Sequence, residues 1–209
     1  MRKVRDGEST KRRVKTAARA VFAEKGFAGS SLAMISKRCD ISEGLILHHY
    51  KSKQNLYKEV LQDLAQDYAQ KIESSLKPSD NPEQMACDML ATVFNYWIED
   101  DQYARISMWA YLEDQEDLIE GEINLTRNLA AFIQQMQQVG AVDPTVSSFV
   151  LLTMTIGPIQ FWTRHRQLLK QSLAPDESLT NLNETFFEQY VELIRKVYQP
   201  QTDHDDREE

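Results

Sequence analysis

The stretch Ser30–Lys53, SSLAMISKRCDISEGLILHHYKSK, reads as two short helices joined by a tight turn. Ser31 can cap the first helix with its hydroxyl, and Ser42 can cap the second. Asp40 falls where the chain must turn, and Asp tolerates left-handed backbone better than most non-glycine residues. The stretch therefore predicts a helix-turn-helix over about 31–50.

The second helix of this motif has an inner and an outer side. Ile46 and Tyr50 are spaced i, i+4 and are predicted to face inward. The side chains predicted to face outward are Glu43, Gly44, Leu47 and His48. A leucine exposed on so short a helix needs an apolar partner, and the wall of a DNA groove or a thymine methyl group would supply one.

The charge of the chain is unevenly distributed. Residues 1–53 contain 13 Lys and Arg against 5 Asp and Glu, whereas residues 54–209 contain 11 against 27. A basic segment on an otherwise acidic chain is expected if that segment contacts a polyanion. It is hard to reconcile with an enzyme of small metabolites, although a solvated basic face alone would give the same count.

The composition favours an all-α protein. The 209 residues include only 7 Gly and 6 Pro, and residues that favour helices run through every long segment. The two cysteines, Cys39 and Cys87, have no metal-ligand spacing and fit a reducing cytosol. No apolar run is long enough to span a membrane, and the amino terminus has no apolar segment of the signal-peptide type. A cytoplasmic protein without a membrane partner is predicted.

Local signals divide the chain into domains. Residues 1–53 are predicted to form an N-terminal arm and the helix-turn-helix, with a long connecting helix from Ser52. Residues 1–9 are polar, and the first helix is predicted to start after them. Residues 54–200 are predicted to form a larger helical domain, and the acidic residues 201–209 a disordered tail.

Nine helices are predicted in all. Asn81-Pro82 and Asp143-Pro144 each place a capping side chain before a proline, so the fifth and eighth helices are expected to start there. Pro158 falls inside the eighth helix, where a kink is expected.

The last predicted helix carries two apolar stripes. A helix lying on a single core needs only one stripe, so the second is expected to contact a partner, unless the helix is surrounded by its own chain. A homodimer through the eighth and ninth helices is therefore predicted. Its interface residues are predicted to be Phe186, Phe187, Tyr190, Val191 and Ile194.

Residues 20–60, AVFAEKGFAGSSLAMISKRCDISEGLILHHYKSKQNLYKEV, resemble the TetR family of bacterial transcriptional regulators. They follow that family's order of F-x-x-x-G, S/T-x-x-x-I, V/I-S-x-G and H-F/Y-x-S/N-K-x-x-L. The resemblance implies a three-helix DNA-binding head followed by a variable helical domain that binds a ligand and dimerises. Residues 77–209 match only this general layout.

The resemblance implies DNA contacts at particular positions. Ser31 and Lys53 match residues that contact phosphates, and His49 matches a histidine that often contacts the DNA backbone. Residues 42–45 match the start of the recognition helix, whose amino-terminal residues approach base edges. With the outward side chains, the predicted DNA-binding set is Ser31, Ser42, Glu43, Gly44, Leu45, Leu47, His48, His49 and Lys53.

Three positions depart from the family's pattern. Asp40 replaces the usual glycine of the turn, and Leu47 replaces a tyrosine that commonly reaches a phosphate. Glu43 stands where many members carry Lys or Gln. Its carboxylate would accept a hydrogen bond from a cytosine amino group but would repel phosphate.

The resemblance also implies a ligand cavity in the larger domain. Large apolar residues are frequent there, although methionine and aromatic stripes more often form plain core. Helical bundles place ligand sites between their helices, and Arg105 and Arg127 are candidate anchors for an anion. The candidate lining is Phe94, Trp97, Tyr103, Arg105, Met108, Trp109, Arg127, Phe132, Met154, Phe161 and Trp162.

No catalytic chemistry is predicted. His48 and His49 are adjacent and cannot face one site from a helix, while His165 and His204 are isolated. The sequence has no phosphate loop, nucleophile elbow or zinc-binding helix signature. No metal, cofactor or catalytic residue is expected.

The sequence therefore predicts a homodimeric regulator, a repressor that a small-molecule effector releases from a palindromic double-stranded DNA operator. Two other classes stay open at this point. One is a helical protein that sequesters an apolar ligand, and the other is an enzyme with an unrecognised site. Protection of a short palindrome by the purified protein would exclude both.

Overall fold

The computed structural model describes residues 2–75, 81–114 and 119–198. Every regular element among these residues is an α-helix, which confirms the predicted all-α class. The helices are α1 Arg2–Lys25, α2 Leu32–Cys39, α3 Glu43–Tyr50, α4 Lys53–Ser75, α5 Pro82–Glu99, α6 Asp101–Leu112, α7 Ile119–Gln138, α8 Ser148–Leu173 and α9 Leu179–Tyr198. The predicted tail at 201–209 lies outside the described residues.

The described chain forms two compact units. The first unit contains the residues up to Gln70 together with Glu99–Asn124, so α6 belongs to it along with α1, α2 and α3. The second unit contains Lys71–Ile98 and the residues from Leu125 onward. The helices α4 and α7 each have residues in both units, whereas the sequence prediction divided the chain after residue 53.

In the first unit, α1 contacts α2, α3 and α6. Its residues Val14, Ala18 and Phe22 are fully buried, as their helical spacing predicts. The prediction that α1 starts after residue 9 is wrong, because the helix begins at Arg2. The segment before Ser9 contains no proline, and lengthening an existing helix costs far less than nucleating one.

The helix-turn-helix forms at the predicted residues. The Ser31 hydroxyl accepts a hydrogen bond from the Met34 amide at 3.2 Å, and the Ser42 hydroxyl accepts one from the Leu45 amide at 3.3 Å. Asp40 ends α2 in the left-handed conformation, with φ 53° and ψ 49°. Two local caps and one tolerant turn residue therefore set the geometry of the motif.

In the second unit, the two predicted cap-and-proline starts have different outcomes. The Asn81 side chain accepts from the Gln84 amide at 3.1 Å, which confirms the start of α5. The predicted start of α8 at Asp143 is wrong, because Ser147 caps that helix. Asp143 instead accepts from the hydroxyl and the amide of Thr145, and these two hydrogen bonds hold the pKa of Asp143 below its ordinary value.

The helix α9 contacts α8 close to the proline inside α8. Pro158 has no N–H, so it cannot make the helical hydrogen bond to the Met154 carbonyl. The Tyr190 hydroxyl of α9 has one proton to donate, and its oxygen lies 2.6 Å from the Thr155 carbonyl oxygen and 3.0 Å from that of Met154. The carbonyl that the proline cannot reach is therefore one of two acceptors on α8 beside the Tyr190 hydroxyl.

Candidate nucleic-acid interface

One side of α3 is buried and the other side is open. Ile46 and Tyr50 are 0% and 2% exposed, which confirms their predicted inward orientation. The exposed residues of this helix are Glu43, Gly44, Leu45, Leu47 and His48. A short helix with this division can lay its open side against another molecule while its inner side holds the fold.

Long-range hydrogen bonds fix the helix-turn-helix against α1. The Tyr50 hydroxyl donates to the Lys11 carbonyl at 2.8 Å, and the Arg13 guanidinium donates to the Cys39 carbonyl at 2.7 Å. Both bonds connect α1 to the ends of α2 and α3. The open side of α3 is consequently presented by a rigid support.

Lys53 makes contacts inside its own unit, and its predicted phosphate contact stays a prediction. Its Nζ donates to the carbonyls of Phe27 at 2.7 Å and Ser30 at 2.9 Å, and lies 4.2 Å from the centre of the Phe27 ring. Two of its three protons are thus used inside the first unit. The structure makes Lys53 a positioning residue for the loop between α1 and α2.

The other two predicted backbone contacts, Ser31 and His49, are both partly exposed. Ser31 is half-buried, and its hydroxyl oxygen is used as the cap of α2. His49 is also half-buried, and its ring packs edge-on to the rings of His48 and Tyr50. Their roles toward DNA stay predictions.

Three residues of α6 and its carboxyl end, which we call the α6 clasp, bind the end of α1 and the loop that follows it. These residues are Arg105, Trp109 and Glu113. The Arg105 Nε and the Trp109 Nε1 both donate to the Ala23 carbonyl, at 2.9 and 3.3 Å. Sequence reasoning missed this cluster, because its partners are more than eighty residues apart along the chain.

Glu113 completes the clasp by accepting two backbone hydrogen bonds. Its carboxylate oxygens accept from the amides of Phe27 at 2.8 Å and Ala28 at 3.0 Å. Gly26 precedes these amides with φ +69°, and a Cβ there would lie 2.6 Å from Glu113 and 2.9 Å from Trp109. Only glycine fits this position, because both the backbone angle and the close approach of the clasp exclude a side chain.

Part of the basic charge of the first unit is neutralised internally. Ion pairs join Lys15 to Asp63, Arg19 to Asp100 and Arg38 to Glu24. Basic residues that are exposed in this unit include Arg12, Lys37 and Lys51. The charge available to a polyanion is therefore smaller than the sequence count suggests.

The predicted cavity residues are divided between the two units. Tyr103, Arg105, Met108 and Trp109 belong to the first unit, and the other seven belong to the second. The Nε of Arg105 is used by the α6 clasp, and its predicted role as an anion anchor stays a prediction. Met154 and Phe161 are both 56% exposed, so they do not line an enclosed cavity within their unit.

The aromatic residues of the second unit form a stacked cluster. Trp162 stacks on Phe186 with ring centres 4.6 Å apart, and Phe186 stacks on Tyr190 at 5.6 Å. Phe94 stacks on Phe187 at 4.8 Å. Three predicted interface residues, Phe186, Phe187 and Tyr190, thus contact the core of their own chain, while Val191 and Ile194 are half-buried.

The helix α8 carries an apolar stripe that is exposed to solvent. The α8 stripe consists of Val150, Met154, Phe161 and Leu168, each between 43% and 59% exposed. Their spacings of 4, 7 and 7 residues place all four on one face of the helix. The periodicity was visible in the sequence, but α8 also carries the buried stripe Leu151, Thr155, Ile159 and Trp162 with a similar spacing.

Neither a membrane span nor a metal cluster is found among the residues that the structure describes. Within this part of the chain, no helix combines the length and the apolar character needed to cross a lipid bilayer. Over the same residues, no three His, Cys, Asp or Glu side chains converge as they would around a metal ion.

An amino-terminal helix-turn-helix unit followed by a helical unit defines a class of DNA-binding regulatory proteins, and sequence comparisons agree with this architecture. Residues 16–60 match the sequence profile of bacterial regulatory proteins of the tetR family. Residues 88–189 match the profile of the tetracyclin repressor-like C-terminal domain. The chain belongs to the TetR family.

Individual relatives cover this chain to different extents. The HTH-type transcriptional regulator UidR of Escherichia coli K12 is 41% identical over 56 residues, which are 27% of this chain and only 29% of UidR. The uncharacterized HTH-type transcriptional regulator YhgD of Bacillus subtilis is 22% identical over 172 residues, or 78% of this chain and 90% of YhgD.

A solved structure shares the fold over most of the chain. The transcriptional regulator FadR of Bacillus subtilis, solved in complex with stearoyl-CoA, aligns with a TM-score of 0.69 at 17% identity. The alignment covers 86% of this chain and 96% of that structure. At this identity the similarity concerns the fold alone.

Proposed function

We propose that this protein is a cytoplasmic transcriptional repressor that binds a palindromic DNA operator as a homodimer and is released by a small-molecule effector. The observation that carries the proposal is the open side of α3. This helix is capped, supported by α1 and exposed along the face that contains Gly44, Leu45, Leu47 and His48.

The dimensions of α3 suit the major groove of DNA. Its 8 residues make a helix of about 12 Å. The major groove is about 12 Å wide and admits one α-helix. The exposed basic residues Arg12, Lys37 and Lys51 belong to the same unit and would contact phosphates on either side.

The α8 stripe supports dimerisation. Four exposed apolar side chains on one helix face are more than an isolated soluble surface usually carries in one row. A twofold-symmetric contact would cover this stripe with the same stripe of a second copy. A dimer carries two α3 helices, and binding in successive major grooves requires these helices to lie about 34–36 Å apart.

Release by an effector would act through helices that have residues in both units. The helix α4 runs from the first unit into the second, and the α6 clasp holds the loop between α1 and α2. An effector that prefers one of two dimer states by a few kcal/mol would shift the separation of the two α3 helices. FadR of Bacillus subtilis was solved with stearoyl-CoA, so a long-chain acyl-CoA is the first effector to test.

Footprinting on the DNA that flanks the protein's own gene tests the proposal. We expect protection of a short inverted repeat, and we expect Leu45→Ala combined with Leu47→Ala to abolish it because both side chains lie on the open side of α3. Met34→Ala on α2 is a size-matched exposed control and should retain protection. A sequestering protein or an enzyme would protect no specific sequence.

The salt dependence of the complex provides a second test. Each phosphate contact that a cation neutralises contributes about −0.9 to the slope of log K against log salt concentration. Lys51→Ala or Lys37→Ala should reduce this slope by about one such contact without changing the protected sequence. A complex whose affinity does not depend on salt would contradict the proposal.

A further inference from the structure

The recognition surface of α3 lacks the side chains that most often read purines. The helix EGLILHHY contains no Arg, Lys, Asn or Gln. Guanine is most often read by the fork of Arg or Lys, and adenine by the amide of Asn or Gln. The side chains that usually read purines are therefore missing from the helix that would enter the groove.

The side chains that α3 does expose include two leucines beside the polar Glu43 and His48. Leu45 is 41% exposed and Leu47 is 39% exposed, so each leaves part of its apolar surface open to solvent. Successive residues of a helix are rotated by about 100°, so Gly44 and His48 lie in one row along α3. Leu45 lies on one side of this row and Leu47 on the other. The centre of the open side is thus bordered by one leucine on each side.

The glycine at the centre permits a close approach. A Cβ added at Gly44 would meet no atom within 4 Å, so the position faces open space. The fold itself does not require a glycine here, because Gly44 lies in regular helix and none of the positive-φ residues is Gly44. Because Gly44 has no side chain, the helix backbone can come nearer to base edges. This approach brings Leu45 and Leu47 deeper into the groove.

We propose that this protein reads its operator largely through thymine C5-methyl groups, which contact Leu45 and Leu47. Thymine is the base that places a methyl group in the major groove, and apolar side chains are its recognised partners. Glu43 is exposed at the start of the same helix, and its carboxylate can only accept hydrogen bonds, so it would face a cytosine amino group. This inference rests on the proposed function, since it assumes that α3 enters the major groove.

Deoxyuridine substitution tests the inference without altering base pairing. Deoxyuridine differs from thymidine only by the absent methyl group. Each thymine of the footprinted operator is replaced in turn, and the dissociation constant is measured by fluorescence anisotropy. At the thymines that contact leucine, we expect affinity to fall about fourfold per methyl group, the equivalent of about 0.8 kcal/mol for one buried methyl.

Protein variants identify the leucine responsible for each effect. In Leu47→Ala, the loss caused by deoxyuridine should disappear at one thymine position of each half-site, and in Leu45→Ala at another. Met34→Ala, equally exposed but on α2, should retain both losses. All three positions are at the surface, so circular dichroism melting should show that the variants fold normally.

The possible outcomes separate this inference from the proposed function. An operator that binds tightly and specifically but tolerates deoxyuridine at every thymine would overturn the inference and leave the regulator intact. Deoxyuridine losses that persist in both leucine variants would overturn it as well. Absence of any specific DNA binding by the native protein would instead refute the proposed function.

Discussion

Two helices of this protein, α3 and α8, expose apolar side chains, and they do so in different ways. On α3, Leu45 and Leu47 border a glycine and a histidine within a helix of 8 residues. On α8, the stripe from Val150 to Leu168 runs for 18 residues, or about 27 Å, along one face.

The difference indicates two kinds of partner. A short exposed surface that mixes apolar and polar groups around a glycine suits the stepped edges of bases in a groove. A long apolar stripe suits a second protein helix, because ridges and grooves of side chains can interlock along its length. Both helices expose apolar side chains. The length and the composition of the exposed surface distinguish the two proposed partners.

The largest expected effect comes from placing a charge in the α8 stripe. Phe161→Glu should convert the dimer into monomers, because burying a charged carboxylate in an apolar contact is strongly disfavoured. Operator affinity should then fall at least about 100-fold, since linking two DNA-binding units raises affinity by that order. Sedimentation velocity and anisotropy titrations measure the two quantities.

Phe149→Glu is the matched control for this variant. Phe149 is 74% exposed on the same helix, but it lies about 100° away from Val150 and outside the stripe. We expect it to remain dimeric with native affinity. If both glutamate variants stay dimeric, the α8 stripe is not the dimer contact.

The next largest effect is expected at the α6 clasp, which binds the loop between α1 and α2. Glu113→Ala leaves the Phe27 and Ala28 amides without their acceptor, which should lower the unfolding free energy by about 2 kcal/mol. Glu113→Gln keeps one acceptor oxygen and should lose less. Urea unfolding measures both. Native stability in Glu113→Ala would show that the α6 clasp does not support the first unit.

The orientation of α8 can be tested at its proline. Tyr190→Phe removes the donor to the Met154 carbonyl and should cost about 1–2 kcal/mol of unfolding free energy. In a Pro158→Ala background this cost should shrink, because the alanine introduced there would supply the missing helical N–H. Thermal unfolding of the four proteins forms the cycle. An equal cost in both backgrounds would contradict the role assigned to Pro158.

The smallest change in stability is expected at the centre of α3. Gly44→Ala adds a methyl group in open space and should stabilise the helix by up to about 1 kcal/mol. The same methyl group would keep α3 away from the bases and weaken operator binding severalfold. Melting temperature and affinity should therefore move in opposite directions. Unchanged affinity would show that DNA does not approach Gly44.

The helix-turn-helix was predictable because its determinants are local. The Ser31 and Ser42 caps, the Asp40 turn and the Ile46–Tyr50 spacing each act within a few residues, and all four have the predicted geometry. Capping and turn preferences are properties of short segments, so one sequence is sufficient to find them.

Other features depend on distant partners and were missed or misassigned. The carbonyls that bind Lys53 and the amides that bind Glu113 belong to a loop far from both residues in sequence. The buried and exposed stripes of α8 have similar spacing, so periodicity alone does not decide which one faces the core. At Asp143 two local signals competed, and the turn made with Thr145 prevailed over the helix cap.

The central claim, that two copies of α3 read a palindrome, is tested most directly by selecting bound sequences from a random DNA pool with the native protein. We predict enrichment of an inverted repeat whose half-site centres are one helical turn, about 34–36 Å, apart. The Phe161→Glu variant should enrich, at most, a single half-site. Failure of the native protein to enrich any sequence, or enrichment of one unrepeated site by both proteins, would contradict the claim.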